Sequence, residues 1–314
     1  MNEILYLVIP CYNEEAVLQE TAKRLKQKLT TMIQNGQISK DSKICFVNDG
    51  SKDNTWNMIE DLHTQDAMFI GVKLSRNSGH QNALMSGLLT VKNDADMVIS
   101  LDADLQDDVN AIDQFVAEYY NGCDVVYGVR SSRKKDTFFK RFSAEAFYKL
   151  LNSFGCEVIY NHADYRLLSK RALDALEEYK EVNLFLRGIV PMVGFKTGTV
   201  LYERNERFAG ESKYPLRKMM LFAIDGITSL SIKPIKLIIS IGLLFFFCSI
   251  CMLIYFFARH FTGHTVSGWT SLAVSIWGIG GLQLLAIGII GEYIGKVYME
   301  TKNRPRYIIE KILK

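Results

Sequence analysis

Histidine is scarce, with five in 314 residues, and His63, His80, His162, His260 and His264 are spread along the chain. There is no HExxH motif and no Cys/His cluster, which argues against zinc chemistry. GxSxG and GxxxxGK[ST] are also missing, so neither a serine nucleophile elbow nor a P-loop is expected. The six cysteines form no disulfide framework. Cys11, Cys45, Cys123 and Cys156 are scattered, while Cys248 and Cys251 lie inside an apolar run and read as helix-face packing residues. That usage fits a reducing cytoplasm. The apolar stretch at 4–9 is too short for a secretory signal and has no basic segment before it. No internal repeat or low-complexity segment is found. The net charge of +3 is small, and no nucleic-acid partner is expected.

What is present is an alternation. Short β-rich runs at 4–9, 43–48, 68–74, 97–101 and 124–129 read as buried strands, with amphipathic stretches such as 15–33 and 54–63 between them. This order predicts an α/β fold with a mainly parallel, Rossmann-like sheet covered by helices on both faces. Runs at 163–169 and 196–204 add further strands and make the sheet mixed. Ligands in such sheets bind beyond the carboxyl ends of the strands. Polar clusters follow the strands there: Asn13-Glu14-Glu15, Asp49-Gly50-Ser51, Arg76-Asn77-Ser78-Gly79 and Asp102-Ala103-Asp104. They are expected to converge on one crevice.

The C-terminal third differs in composition. Residues 214–233 mix apolar and charged positions as a helix lying on a membrane does. Residues 235–258 and 270–294 are nearly all apolar and each is long enough to cross a hydrocarbon core of ~30 Å. Basic residues gather before the first run (Arg217, Lys218, Lys233, Lys236) and after the second (Lys296, Lys302, Arg304, Arg306, Lys311, Lys314). By the positive-inside rule both termini are cytoplasmic and the short connection is outside. The expected organisation is a catalytic domain at 1–213, an interfacial helix at 214–233, a two-helix membrane region at 234–295 and a basic tail at 296–314 able to lie against anionic lipid. Gly278, Gly280, Gly281, Gly288 and Gly291 allow close helix packing, within one chain or between copies of a homo-oligomer.

The segment Leu101-Asp102-Ala103-Asp104-Leu105-Gln106-Asp107-Asp108 carries the chemistry. On an extended chain Asp102, Asp104 and Gln106 point to one side, since side chains alternate. Such a line of oxygens suits Mg²⁺ or Mn²⁺, which takes a few protein oxygens and fills its shell from substrate phosphates. A solvated acidic loop, or charges at a helix N-terminus, is the plainer alternative.

Four motifs together, IPCYNEE (9–15), VNDGSKDNT (47–55), SRNSGHQNAL (75–84) and LDADLQDD (101–108), resemble family 2 glycosyltransferases of the GT-A fold in order and spacing. VVYGVR (125–130), ADYRLLS (163–169), RFAGESKY (207–214) and the two apolar runs resemble the polyprenyl-phosphate branch, which includes dolichol-phosphate mannose synthase and the bacterial bactoprenol glucosyltransferases. The resemblance implies a transferase that moves one sugar, glucose or N-acetylglucosamine, from a nucleotide-sugar, UDP rather than GDP, to undecaprenyl phosphate at a bacterial cytoplasmic membrane. It implies that Pro10, Tyr12, Glu14 and Asp49 hold base and ribose, that Asn77 and Gly79 line the nucleotide pocket, and that Asp102, Asp104 and Gln106 serve the metal. Arg207, Ser212 and Lys213 would bind the diphosphate. Arg130, with Arg133-Lys134-Lys135, would face the acceptor phosphate or the membrane surface. Asp164 would be a catalytic base, or would orient Arg166, itself a phosphate ligand. Processive synthases of the same fold usually carry QxxRW, whereas the corresponding stretch here, Asn183-Leu184-Phe185-Leu186-Arg187-Gly188, has no tryptophan.

Overall fold

The computed structural model describes residues 2–131, 162–182, 184–203, 228, 233–261 and 269–314. The first half runs β1 (Leu5–Cys11), α1 (Leu18–Gln34), β2 (Lys43–Asn48), α2 (Thr55–Gln65), β3 (Phe69–Leu74), α3 (His80–Val91), β4 (Met97–Ser100), a 3-10 turn (Val109–Ala111), α4 (Ile112–Tyr120) and β5 (Val125–Arg130). Then come β6 (His162–Ser169), α5 (Lys170–Glu177), α6 (Leu186–Met192), β7 (Thr197–Tyr202), α7 (Lys233–Phe261), α8 (Trp269–Lys302) and β8 (Ile309–Leu313).

The strand order is β7-β5-β6-β4-β1-β2-β3-β8. Pairs β1–β2, β2–β3, β1–β4 and β5–β7 are parallel, while β6 and β8 run antiparallel to their neighbours. The period-2 pattern of β1 explains the layers. Leu5, Leu7 and Ile9 enter one core with Leu18, Leu25 and Leu29 of α1, Ile59 of α2 and Phe115 of α4. Tyr6 and Val8 enter the other with Leu84 and Leu88 of α3, Leu173 of α5 and Ile189 of α6. A strand buried on both faces has no polar side to show, hence its continuous apolar run.

The order reverses beside β1: β2 and β3 build outward on one side and β4 starts the other. At such a reversal the loops leaving β1 and β4 diverge and open a crevice. Because β6 is antiparallel, its first residues stand at the carboxyl end of β4, with Ser100 paired to Arg166. The crevice is therefore edged by the ends of β1, β4, β5 and β7 and by the start of β6.

Two long helices follow. α7 has 29 residues and α8 has 34, about 44 and 51 Å at 1.5 Å per residue. Among the described residues, one segment, Ile279–Lys302, is long and apolar enough to cross a membrane by length and composition, and none of its most apolar stretch is buried within the protein. Leu243, Leu244 and Phe247 on α7 and Leu284, Leu285 and Ile287 on α8 are all exposed. The interfacial helix expected at 214–233 lies outside the described residues apart from Thr228 and Lys233.

The segment 296–314, expected as a basic tail on lipid, has a different arrangement. It continues α8 to Lys302 and ends in β8, which adds to the edge of the sheet at β3. Its lysines meet protein carboxylates: Lys311–Glu60 and Lys314–Asp94 at 2.7 Å each, while Glu310 receives Lys73 at 2.7 Å. The physical reason is local: Leu313 packs against one core and Ile309 against the other, so the strand covers the sheet edge on both faces.

Candidate active site

The loops after β1, β2 and β3 are laced together. Asp49 follows β2 and is buried; its Oδ1 accepts from the Ser78 amide at 2.7 Å and its Oδ2 from the Gly79 amide at 3.0 Å. Burial pushes its carboxyl up, against the pull of those two amides. Gly50 has φ +62, and a Cβ there would stand 2.4 Å from the Asn77 nitrogen, so only glycine fits. The β1 loop joins in: the Asn13 amide donates to Ser51 Oγ at 3.0 Å, and its own Oδ1 accepts from the Lys52 amide at 2.9 Å. Asn13 has φ 54, a left-handed conformation that asparagine tolerates better than most residues. The Glu14 amide donates to Thr55 Oγ1 at 2.9 Å, and its carbonyl accepts from the Val17 and Leu18 amides that open α1. Pro10 pairs with Val47 inside the sheet, Tyr12 is 37 % exposed at the β1 exit, and Asn77 and Gly79 form the turn into α3.

The loop after β4 carries Asp102, Asp104 and Gln106. The Gln106 amide donates to Asp104 Oδ1 at 3.2 Å, and Thr21 of α1 fixes the loop from behind by donating to the Ala103 carbonyl at 2.7 Å. Burial raises the Asp102 carboxyl. His80 and Arg130 oppose that, and the Asp164 and Asp104 carboxylates add to it. Carboxylates crowded this way suit a divalent cation as counter-charge. Among the described residues no three His, Cys, Asp or Glu side chains form a preformed metal cage. An ion of this type needs none when phosphate oxygens complete its shell, so two carboxylates and an amide oxygen fit the group.

Across the crevice, Asp164 is the third residue of β6. Arg166 donates to its Oδ1 at 2.6 Å, and Arg187 reaches both oxygens, at 3.3 and 3.1 Å. Burial alone would raise the Asp164 carboxyl; the Arg187 and Arg166 guanidiniums outweigh it and hold the group well below the carboxylate range. Arg166 is 1 % exposed and also donates to the Leu186 carbonyl at 3.3 Å. The arginine accessible to a ligand is Arg187, with 27 % of its side chain exposed. His80, first residue of α3, sits 3.8 Å from both Asp102 Oδ1 and Asp164 Oδ2 and so spans the two walls. Arg130 ends β5, close enough to Asp102 and Asp107 to act on both electrostatically. Asp107 is buried; burial and the Asp102 carboxylate push its carboxyl up to about 6.

Thus Asp102 and Asp164 come together, with Arg130 beside Asp102 and Arg166 behind Asp164. The 9–15, 47–55 and 75–84 motifs form one continuous loop system. Arg207, Ser212 and Lys213, with Arg133–Lys135, lie outside the described residues. The sequence reading passed over His80 and Arg187 as ligand-facing groups. His80 lies within the 75–84 motif and Arg187 within the 183–188 stretch, but the antiparallel placement of β6 and the start of α3 are what bring them to Asp164.

The Glycosyl transferase family 2 profile matches residues 6–177, more than half of the chain. The chain belongs to glycosyl transferase family 2. This family 2 chain is 54 % identical over 307 residues to the uncharacterized glycosyltransferase YkoT of Bacillus subtilis (strain 168), covering 98 % of this chain and 91 % of that protein. It is 40 % identical over 311 residues to the SfII prophage-derived bactoprenol glucosyl transferase of Shigella flexneri, covering 97 % of each. A solved structure, mannosyl-3-phosphoglycerate synthase from Rubrobacter xylanophilus, matches with a TM-score of 0.48 at 13 % identity over 71 % of each chain.

Proposed function

We propose that this family 2 enzyme transfers one sugar, glucose or N-acetylglucosamine, from a UDP-sugar to undecaprenyl phosphate at the cytoplasmic face of a bacterial membrane. The full-length likeness to a bactoprenol glucosyl transferase supports the acceptor class. The observation that carries the reading is the opposed pair of walls. Asp102 and Asp104 stand on one side and an Arg187-held Asp164 on the other, bridged by His80. One wall is acidic and suits a cation-bound diphosphate; the other presents a guanidinium and suits a phosphate nucleophile.

In the reaction a phosphate oxygen of the lipid attacks the anomeric carbon. The bond from that carbon to the diphosphate oxygen breaks, UDP leaves with the electron pair, and the anomeric configuration inverts. A phosphate monoester is mostly dianionic above its second pKa of about 6, so it attacks without giving up a proton. Asp164, ionised and gripped by two arginines, then serves as the group that aims Arg187 rather than as a base. Asp102, Asp104 and Gln106 are the residues to hold Mg²⁺ or Mn²⁺, which when bound neutralises charge on the leaving diphosphate. Asp49 and Gly79 shape the nucleoside pocket by fixing the 75–79 loop, with Pro10, Tyr12, Glu14 and Asn77 around it. Arg207, Ser212 and Lys213 are assigned to the diphosphate on the motif resemblance.

The helices α7 and α8 are proposed as a two-span membrane anchor, with the catalytic domain and the chain end on one side. The test is incubation of the purified full chain with a panel of nucleotide-sugars and undecaprenyl phosphate. One sugar per lipid, from UDP-glucose or UDP-N-acetylglucosamine, is the expected product; a polymer would instead indicate a processive synthase.

A further inference from the structure

Gln81, in the first turn of α3, reaches a residue 105 positions further along the chain: its Oε1 accepts from the Leu186 amide at 2.6 Å. Leu186 is the first residue of α6 and directly precedes Arg187. The amides of a first helical turn have no partners within the helix itself, and Gln81 takes this one. The carbonyl of the same residue accepts from Arg166 at 3.3 Å, and its side chain is buried in the core with Ile189 and Val190. Leu186 is thus held at its amide from α3, at its carbonyl from β6 and at its side chain by the core.

The two sides of this link differ in firmness. α6 has seven residues with Pro191 inside, too short to hold its own geometry. The first turn of α3 is anchored. Asp49 grips the Ser78 and Gly79 amides, the Asn82 side-chain amide donates to the Ser78 carbonyl at 2.8 Å, and the Ala83 amide donates to the Gly79 carbonyl at 3.0 Å. Ala83, Leu84 and Met85 are buried. A firm element therefore carries the acceptor oxygen, and a short one the donating amide. The residue after that amide's own is Arg187, which meets both oxygens of Asp164 at 3.3 and 3.1 Å. A guanidinium gripping a carboxylate through two N–H groups tolerates little displacement of its backbone.

We propose that Gln81 is a positioning residue for Arg187: by holding the Leu186 amide to α3 it sets where that guanidinium stands for the acceptor phosphate. The proposal rests on the reading of Arg187 as the phosphate-facing arginine given above. One turn then serves both substrates. Asp49 fixes it beside the proposed nucleotide pocket, and Gln81 extends from it to the opposite wall.

The test is steady-state kinetics of the purified full chain with undecaprenyl phosphate and UDP-sugar varied in turn, for wild type, Q81M, R187A and the double variant. Methionine keeps the length of glutamine and lacks its amide oxygen. Q81M is expected to raise the KM for the lipid about fivefold, the worth of one net hydrogen bond, while the KM for UDP-sugar changes by less than about twofold. A purely structural defect would remove active enzyme, lowering kcat and leaving both KM values where they were. In the R187A background Q81M is expected to add less than about twofold to the lipid KM, because both changes act through one guanidinium. An unaltered lipid KM in Q81M, an equal rise in both KM values, or effects that multiply fully in the double variant, would overturn the role. If Q81M does not fold, Q81A decides by the same numbers, since alanine is the residue best suited to a helix. Absence of any wild-type turnover with undecaprenyl phosphate overturns both this role and the acceptor reading, whereas wild-type turnover beside an unaltered Q81M overturns only the role of Gln81.

Discussion

Arg166 and Arg187 close on the Asp164 carboxylate from two sides, at 2.6 and 3.1 Å, and this decides what the carboxylate can do. Its folded pKa is depressed, so its ionised form contributes stability that is complete above the unfolded value of about 4 and is lost only as pH falls through the folded value. Between pH 5 and 9 it does not titrate. An acid limb in the rate profile then belongs to another group, either the acceptor phosphate, with a second pKa of about 6, or Asp107, pushed up to about 6 by burial and the Asp102 carboxylate. Asp164→Asn should lower kcat/KM at least about tenfold by loosening Arg187, yet leave the acid limb in place; a pH profile from 5 to 9 checks this, and a vanished limb would restore the base role. Gly50 gives a second residue-level prediction. Its φ of +62 and the 2.4 Å approach of the Asn77 nitrogen make Gly50→Ala cost about 1–3 kcal/mol and raise the KM for the nucleotide-sugar, measurable by denaturant melts and donor titration.

The elements were legible where a strand is buried on both faces. β2 falls on 43–48 as expected; β3 and β4 differ from the expected runs by one residue at one end, and β1 and β5 by one or two residues at both ends. The run at 163–169 was expected to make the sheet mixed, but its sequence carries no sign of which neighbour it pairs with or in which direction, and with that went the meeting of His80 and Arg187 at Asp164. β8 was missed because Ile-Glu-Lys-Ile-Leu has two charges in five residues and follows a membrane-type helix. Its charges are satisfied across the edge by Lys73 and Glu60, a pairing invisible until the strand is placed. β8 also ties α8 to the catalytic domain, helped by Glu300, which accepts from the Val182 amide at 3.0 Å. Removing 309–314 strips the cover from β3 and the Leu313 contact. The truncated protein should melt lower by roughly 5 °C or more in detergent, as a loss of about 2 kcal/mol implies at this size; an unchanged melting temperature would mean that β8 contributes nothing to holding the edge.

At the scale of the whole molecule, the sheet joins both ends of the described chain, because β1 and β8 belong to it. Whatever side of a membrane holds the catalytic domain therefore also holds the end of α8. If α7 and α8 both cross, as proposed, the connection between them is expected on the opposite side. In intact cells a membrane-impermeant maleimide should label Ser267→Cys but reach Asn303→Cys only after permeabilisation; equal labelling of both in intact cells would refute the two-span arrangement.

The carboxylates after β4 are proposed to serve a cation that also holds the donor's diphosphate, within reach of a lipid phosphate. Transfer of labelled sugar from UDP-sugar to undecaprenyl phosphate, measured for wild type and Asp104→Ala across a Mn²⁺ titration, decides whether they do. The expected result is metal-dependent, single-sugar transfer by the wild type and none by Asp104→Ala at any metal concentration, with the two proteins melting alike. Full transfer by Asp104→Ala would contradict it.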